Sequence, residues 1–78
     1  MPTVLRIGPY RFFFFSGDSG EPAHVHVARD ADEAKFWLSP VRLHTNGGFR
    51  SVELRRVTIL VEANEDKLLE AWNGYFGK

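Results

Sequence analysis

His24 and His26 are the residues from which chemistry would start. They sit in Glu21-Pro22-Ala23-His24-Val25-His26-Val27, a run with strand character, in which side chains at i and i+2 project to the same side. Both imidazoles then share one face and the valines the other. Two imidazoles so placed can chelate a divalent metal such as zinc, provided a third ligand arrives from elsewhere. His44 from a neighbouring strand could supply it, giving a His24, His26, His44 set; so could a carboxylate from Asp18 or Glu21 in the adjoining loop. Three nitrogen ligands with an open position suit a catalytic Zn²⁺ or another first-row ion. The same pair could instead work on RNA without any metal. One neutral imidazole would take the 2′-hydroxyl proton, and a protonated one would donate to the leaving oxygen. Lys35 or Arg42 would offset charge on the phosphorane, and Trp37 could stack a base. The plain alternative is three hydrogen-bonded or solvated histidines on an exposed face, and a His-x-His pair alone does not choose among these.

Other motifs are missing. Ser16, Ser19, Ser39 and Ser51 stand in no nucleophile motif. Gly17-x-x-Gly20 precedes a strand rather than a helix, so it reads as a flexible turn and not as a phosphate cradle. Without an enzyme signature, the same polar face reads as a binding surface. Histidine, arginine and aromatic rings are what such surfaces collect. Lys35, Trp37, Arg42, His44 and Glu21 would form it around His24 and His26.

The elements that must position these residues follow from turn signals and periodicity. Thr3–Ile7 reads as a strand stopped by Gly8-Pro9. Tyr10–Ser16 reads as a second strand whose four consecutive phenylalanines, Phe12 to Phe15, place two rings on each face. A loop rich in turn formers leads to a third strand at Ala23–Arg29. Asp30-Ala31-Asp32-Glu33 joins this to a fourth strand at Ala34–Leu38. A four-residue turn there pairs Val27 with Phe36, Val25 with Leu38, and His26 with Trp37. Val25, Val27, Phe36 and Leu38 then share an apolar face, and His24, His26, Lys35 and Trp37 a polar one. With a tight turn at Ser39-Pro40, a fifth strand adds Val41 and Leu43 to the first face and Arg42 and His44 to the second. Asn46-Gly47-Gly48 ends the strand region.

The remainder is helical. Over 52–63, Leu54, Val57, Leu60 and Val61 suit one helical face, although Val57–Val61 is also good strand material; length and polar flanks favour helix, with Ser51 as its N-cap. Asn64 caps a second helix carrying Glu65 and Asp66 in its first turn. Leu68, Leu69, Trp72, Tyr75 and Phe76 recur at helical spacing until Gly77 stops it. Trp72 and Phe76 are expected in the core. The fold class is thus α+β: an antiparallel meander of about four to five strands followed by two C-terminal helices packed on one face.

The totals bound the rest. A chain of 78 residues makes a single domain, 1–78, near the lower end of what folds without staples. It has no cysteine, so disulfides and thiolate metal sites are excluded. Ten basic against ten acidic residues give zero formal charge, unlike a dedicated nucleic-acid binder. The charges are uneven, however: Arg42, Arg50, Arg55 and Arg56 face only Glu53 across 40–61, whereas 62–78 is acidic. Nothing at the start resembles a signal peptide, and the phenylalanine run is too short to cross a bilayer. A soluble, cytoplasmic protein is expected.

The chain resembles a family. Met1-Pro2-Thr3-Val4-Leu5-Arg6, Gly8-Pro9-Tyr10-Arg11 with Phe12–Phe15, Glu21–Val27, Ala34-Lys35-Phe36-Trp37-Leu38, and Leu68-Leu69-Glu70-Ala71-Trp72-Asn73 with Tyr75-Phe76 are similar to the small bacterial proteins of domain of unknown function 4160. Ala23 stands where a second proline commonly follows Glu-Pro, and the β-branched run Val57–Val61 departs from a more plainly helical pattern. The resemblance brings no established activity. It implies membership of a two-gene unit with a second short protein, reminiscent of toxin–antitoxin pairs. The leading expectation is therefore an interaction module with a small protein partner. The alternative is a His-dependent ribonuclease or metal-dependent hydrolase using His24 and His26. RNA and a homodimer remain open as partners; no membrane is expected.

Overall fold

The computed structural model describes residues 3–77. Five strands, β1 (Thr3–Ile7), β2 (Tyr10–Phe13), β3 (His24–Arg29), β4 (Asp32–Trp37) and β5 (Arg42–Gly47), form one antiparallel sheet in the order β1-β2-β3-β4-β5. Two helices follow, α1 (Ser51–Ala63) and α2 (Glu65–Phe76). This is the meander and helix pair expected from the sequence.

The apolar face assembles from alternate strand positions. Phe12, Val25, Val27, Ala34 and Phe36 pack with Phe14, Leu38, Val57, Val61, Leu68 and Trp72 in one buried cluster. The β-branched run in α1 is helical because Val57 and Val61, four residues apart, both reach this core. Burial of that stripe outweighs a propensity deficit of a few tenths of a kcal/mol per residue. Phe13 points the other way. It is 1 % exposed and stacks on His26, while Phe15 meets Phe13 edge-on. The four rings do divide between two faces.

Several local expectations are corrected. The β3–β4 hairpin closes through Asp30 and Ala31 alone, pairing Arg29 with Asp32, Val27 with Ala34 and Val25 with Phe36. Two-residue loops match the right-handed strand twist, and Asp30 adopts the left-handed conformation (φ 54°) that aspartate tolerates better than most residues. The register therefore differs from the four-residue expectation by two positions, an even shift that leaves every side chain on its expected face. His26 consequently opposes Lys35, and His24 opposes Trp37. β2 stops at Phe13 rather than Ser16, and Ser16–Gly20 winds into a 3₁₀ turn instead of a flexible loop.

The helix caps also differ. Arg50, not Ser51, is the N-cap of α1, and its carbonyl accepts the Leu54 N–H at 2.8 Å. Asn64 is the N-cap of α2 as expected, but it caps with its backbone carbonyl, which accepts the Leu68 N–H at 2.9 Å, while its side-chain amide donates back to the Leu60 carbonyl at 2.8 Å. Gly77 ends α2 in the left-handed conformation, as expected. Neither helix is long and apolar enough to cross a membrane.

Candidate functional site

The 3₁₀ turn is what completes the histidine pair. Asp18 Oδ2 accepts the Phe15 backbone N–H at 2.9 Å, which locks the carboxylate toward the sheet. Both imidazoles of β3 converge on that one oxygen: His24 Nε2 lies 3.0 Å from it and His26 Nε2 3.2 Å. The three ligand atoms lie within 4.8 Å of one another.

Each ring is also held from behind. His24 Nδ1 is 2.9 Å from the Pro22 carbonyl oxygen, which can only accept, so Nδ1 carries the proton. Nε2, on the other side of the ring, then points toward Asp18. The two atoms are close but off the hydrogen-bond direction, and His24 Nε2 has no hydrogen-bond partner among the described residues. His26 Nδ1 likewise makes no hydrogen bond among them and lies 3.4 Å from Glu33 Oε2.

Aromatic side chains wall the pair. Trp72 reaches the His24 ring at 5.0 Å and Trp37 at 5.6 Å, while Phe13 and Phe15 flank His26 at 5.4 and 4.6 Å. His24 is 0 % exposed and His26 7 %. Burial pushes the His26 imidazole below its ordinary value, outweighing the upward pull of the Asp18 carboxylate. Burial raises the Asp18 carboxyl, but the Phe15 N–H and the two imidazoles outweigh it, and the net direction is downward.

The other residues singled out in the sequence lie beside this cluster rather than in it. His44 is exposed, and its ring packs 4.9 Å from Trp37 rather than against either interior histidine. His44 is also the extra residue of a bulge: Lys35 pairs with Thr45 and Phe36 with Leu43. Arg42 is exposed opposite Trp37. Lys35 lies with its Nζ 4.8 Å from the Trp37 ring centre and donates to Glu21 Oε1 at 2.6 Å. That contact lowers the Glu21 carboxyl. The structure therefore separates an interior group, Asp18, His24 and His26, from an outer group, Glu21, Lys35, Trp37, Arg42 and His44.

One polar cluster carried no sequence signal. Tyr10 donates to Glu53 Oε2 at 2.8 Å, and Arg29 pairs with the same oxygen, tying α1 to β2 and β3. These residues are 24 and 43 positions apart in pairs, beyond any local pattern.

The family model described as domain of unknown function (DUF4160) matches residues 10–73. That span takes in β2 to β5, both groups of residues just described, α1 and most of α2. No curated protein and no solved structure matches the chain.

Proposed function

The chain belongs to the DUF4160 family, and we propose that within it the protein is a cytoplasmic interaction module, one half of a two-protein, toxin–antitoxin-like unit. The observation that carries this reading is the setting of Trp37. It lies half-buried on the sheet, in contact with the Lys35 ammonium and the His44 ring, with Arg42 exposed opposite it. A tryptophan whose orientation is already fixed loses little entropy when a partner closes over it. A rigid aromatic ringed by charged groups is the side-chain type that dominates interface energetics. Glu21, Lys35, Arg42 and His44 form the polar rim. The partner is the second short protein of the unit.

The test is co-purification and calorimetry with the short protein encoded beside this one. A stable complex is expected, and Trp37→Ala should weaken it about thirtyfold, equivalent to about 2 kcal/mol, with an unchanged circular dichroism spectrum. Absence of a complex, or affinity within threefold in the variant, refutes the reading.

A second reading is favoured by the convergence of Asp18, His24 and His26: a His-dependent ribonuclease or metal-dependent hydrolase. With His24 sealed, His26 and Asp18 would face substrate. RNA cleavage lost in His26→Gln would support it.

A further inference from the structure

The interior group has chemistry that partner binding does not use. We propose that Asp18 Oδ2, His24 Nε2 and His26 Nε2 form a binding site for one first-row divalent transition-metal ion, with Zn²⁺ as its representative, which pins the Ser16–Gly20 turn to β3. The site stands independently of the partner-binding reading.

Three observations carry it. The first is His24 itself, fully buried, with Nδ1–H spent on the Pro22 carbonyl and Nε2 aimed at a carboxylate oxygen without a hydrogen bond. A buried imidazole nitrogen without a hydrogen bond and the carboxylate oxygen 3.0 Å from it are a pair of potential ligand atoms that one cation bound to both would satisfy. Leaving such a nitrogen without a hydrogen bond in the interior costs free energy, which a bound ion would offset.

Spacing is the second. Ligands at about 2.0–2.1 Å around a tetrahedral Zn²⁺ are separated by roughly 3.3 Å from one another. The two nitrogens lie 3.0 and 3.2 Å from Asp18 Oδ2, close to that edge length. All three atoms lie within 4.8 Å of one another, so binding requires the imidazoles to close on each other and the ion to replace the His26–Asp18 hydrogen bond.

The third is the outer support. Metal-binding imidazoles characteristically give their other N–H to a carbonyl or carboxylate, which fixes the ring and its tautomer. Here the Pro22 carbonyl does this for His24. His26 Nδ1 makes no hydrogen bond among the described residues, and Glu33 Oε2, 3.4 Å away, is the carboxylate nearest to serve it. Two imidazoles and one carboxylate favour a transition metal over Mg²⁺ or Ca²⁺, which prefer all-oxygen sets. The Asp18 and His26 side chains keep 12 % and 10 % of their surface, so the ion has a way in and solvent can complete its coordination.

Of the third ligands the sequence offered, His44, Asp18 and Glu21, Asp18 is the one that completes the set. The outcome for the molecule is mechanical. A cation at this point joins the loop that carries Glu21 to the strand that carries the histidines.

The experiment uses the untagged chain alone, stripped with a chelator, titrated with ZnCl₂ by calorimetry and with CoCl₂ by visible absorption. One equivalent is expected to bind, with Co²⁺ giving the d–d bands of nitrogen and oxygen ligation. Asp18→Asn and His26→Gln should each weaken Zn²⁺ binding by about tenfold or more. His44→Asn should leave affinity and stoichiometry unchanged. No binding up to millimolar metal, or undiminished binding in Asp18→Asn, overturns the proposal. Should the variants fail to fold, the native protein still decides. In ¹⁵N spectra of the imidazoles, Zn²⁺ must shift Nε2 of His24 and His26 and leave His44 in place; a shift of His44 instead overturns the assignment.

Discussion

Phe12 and Phe13 are neighbours in the chain, both are buried, and they face opposite ways. Phe12 belongs to the core beneath the helices, yet it makes no close ring pair among the described residues. Phe13 lies outside that core, stacked on His26 at 5.4 Å and set edge-on to Phe15 at 5.3 Å, with the Arg11 guanidinium 4.6 Å above its ring. Leucine in place of either ring keeps most of the buried area, so the difference between the two substitutions isolates the aromatic contacts. A close ring pair contributes about 0.5–1.5 kcal/mol and a partly exposed guanidinium over a ring about 0.5–1 kcal/mol. The two ring contacts and the guanidinium together amount to about 1.5–4 kcal/mol, so Phe13→Leu should cost at least about 2 kcal/mol. Phe12→Leu carries only the shape mismatch, about 1 kcal/mol. A domain of 78 residues has a total stability of about 4–12 kcal/mol, so both variants fold and both losses are measurable. Thermal melts followed by circular dichroism should show midpoints lowered by roughly 8–16 °C for Phe13→Leu and roughly 4–8 °C for Phe12→Leu. The reasoning is refuted if Phe12→Leu proves the more damaging, or if Phe13→Leu shifts the midpoint by less than about 3 °C. Either result would mean that the histidine side of the sheet is not packed as a second core.

Two further outcomes follow from the geometry. The Glu53 carboxyl is held below its ordinary value by the Tyr10 hydroxyl and then by Arg29, so its contribution is present above the ordinary glutamate range and disappears as pH falls through the depressed folded value. Glu53→Gln should flatten the acid limb of a stability-against-pH curve, and curves that stay parallel through that limb would contradict this. Gly48 has φ +121°, and a Cβ there would run into Asp32 Oδ1. Gly48→Ala should cost about 1 kcal/mol or more in a urea melt, and a neutral effect would show that the β5 exit relaxes freely.

The strand faces were legible because they rest on parity. The β3–β4 hairpin closes two residues tighter than its turn formers suggested, yet His24, His26, Lys35 and Trp37 share the expected side, since an even shift preserves it. α2 was equally legible, its apolar spacing leading to the buried Leu68 and Trp72. The burial of His24 was not. It depends on Trp72 arriving from α2 and on Phe13 and Phe15 closing around His26, contacts with no periodic trace in the sequence. Asp18 was visible only as one acidic residue in the adjoining loop. What brings it to both rings is the Phe15 N–H bond within a short 3₁₀ turn, a local geometry that glycine and serine permit but do not announce.

Both outermost strands of the sheet carry an extra residue. Val4 interrupts the pairing of β1 with β2, and His44 interrupts that of β5 with β4. An outer strand that is straight and regular is a template on which another chain can continue the hydrogen-bond ladder, the first step toward fibres. A bulge bends the strand and breaks the even spacing that a newcomer would have to match. With both borders interrupted in this way, lateral growth of the sheet is discouraged at each end. The molecule thus exposes a whole strand, β5, whose interrupted edge is a poor template for a second copy of the chain.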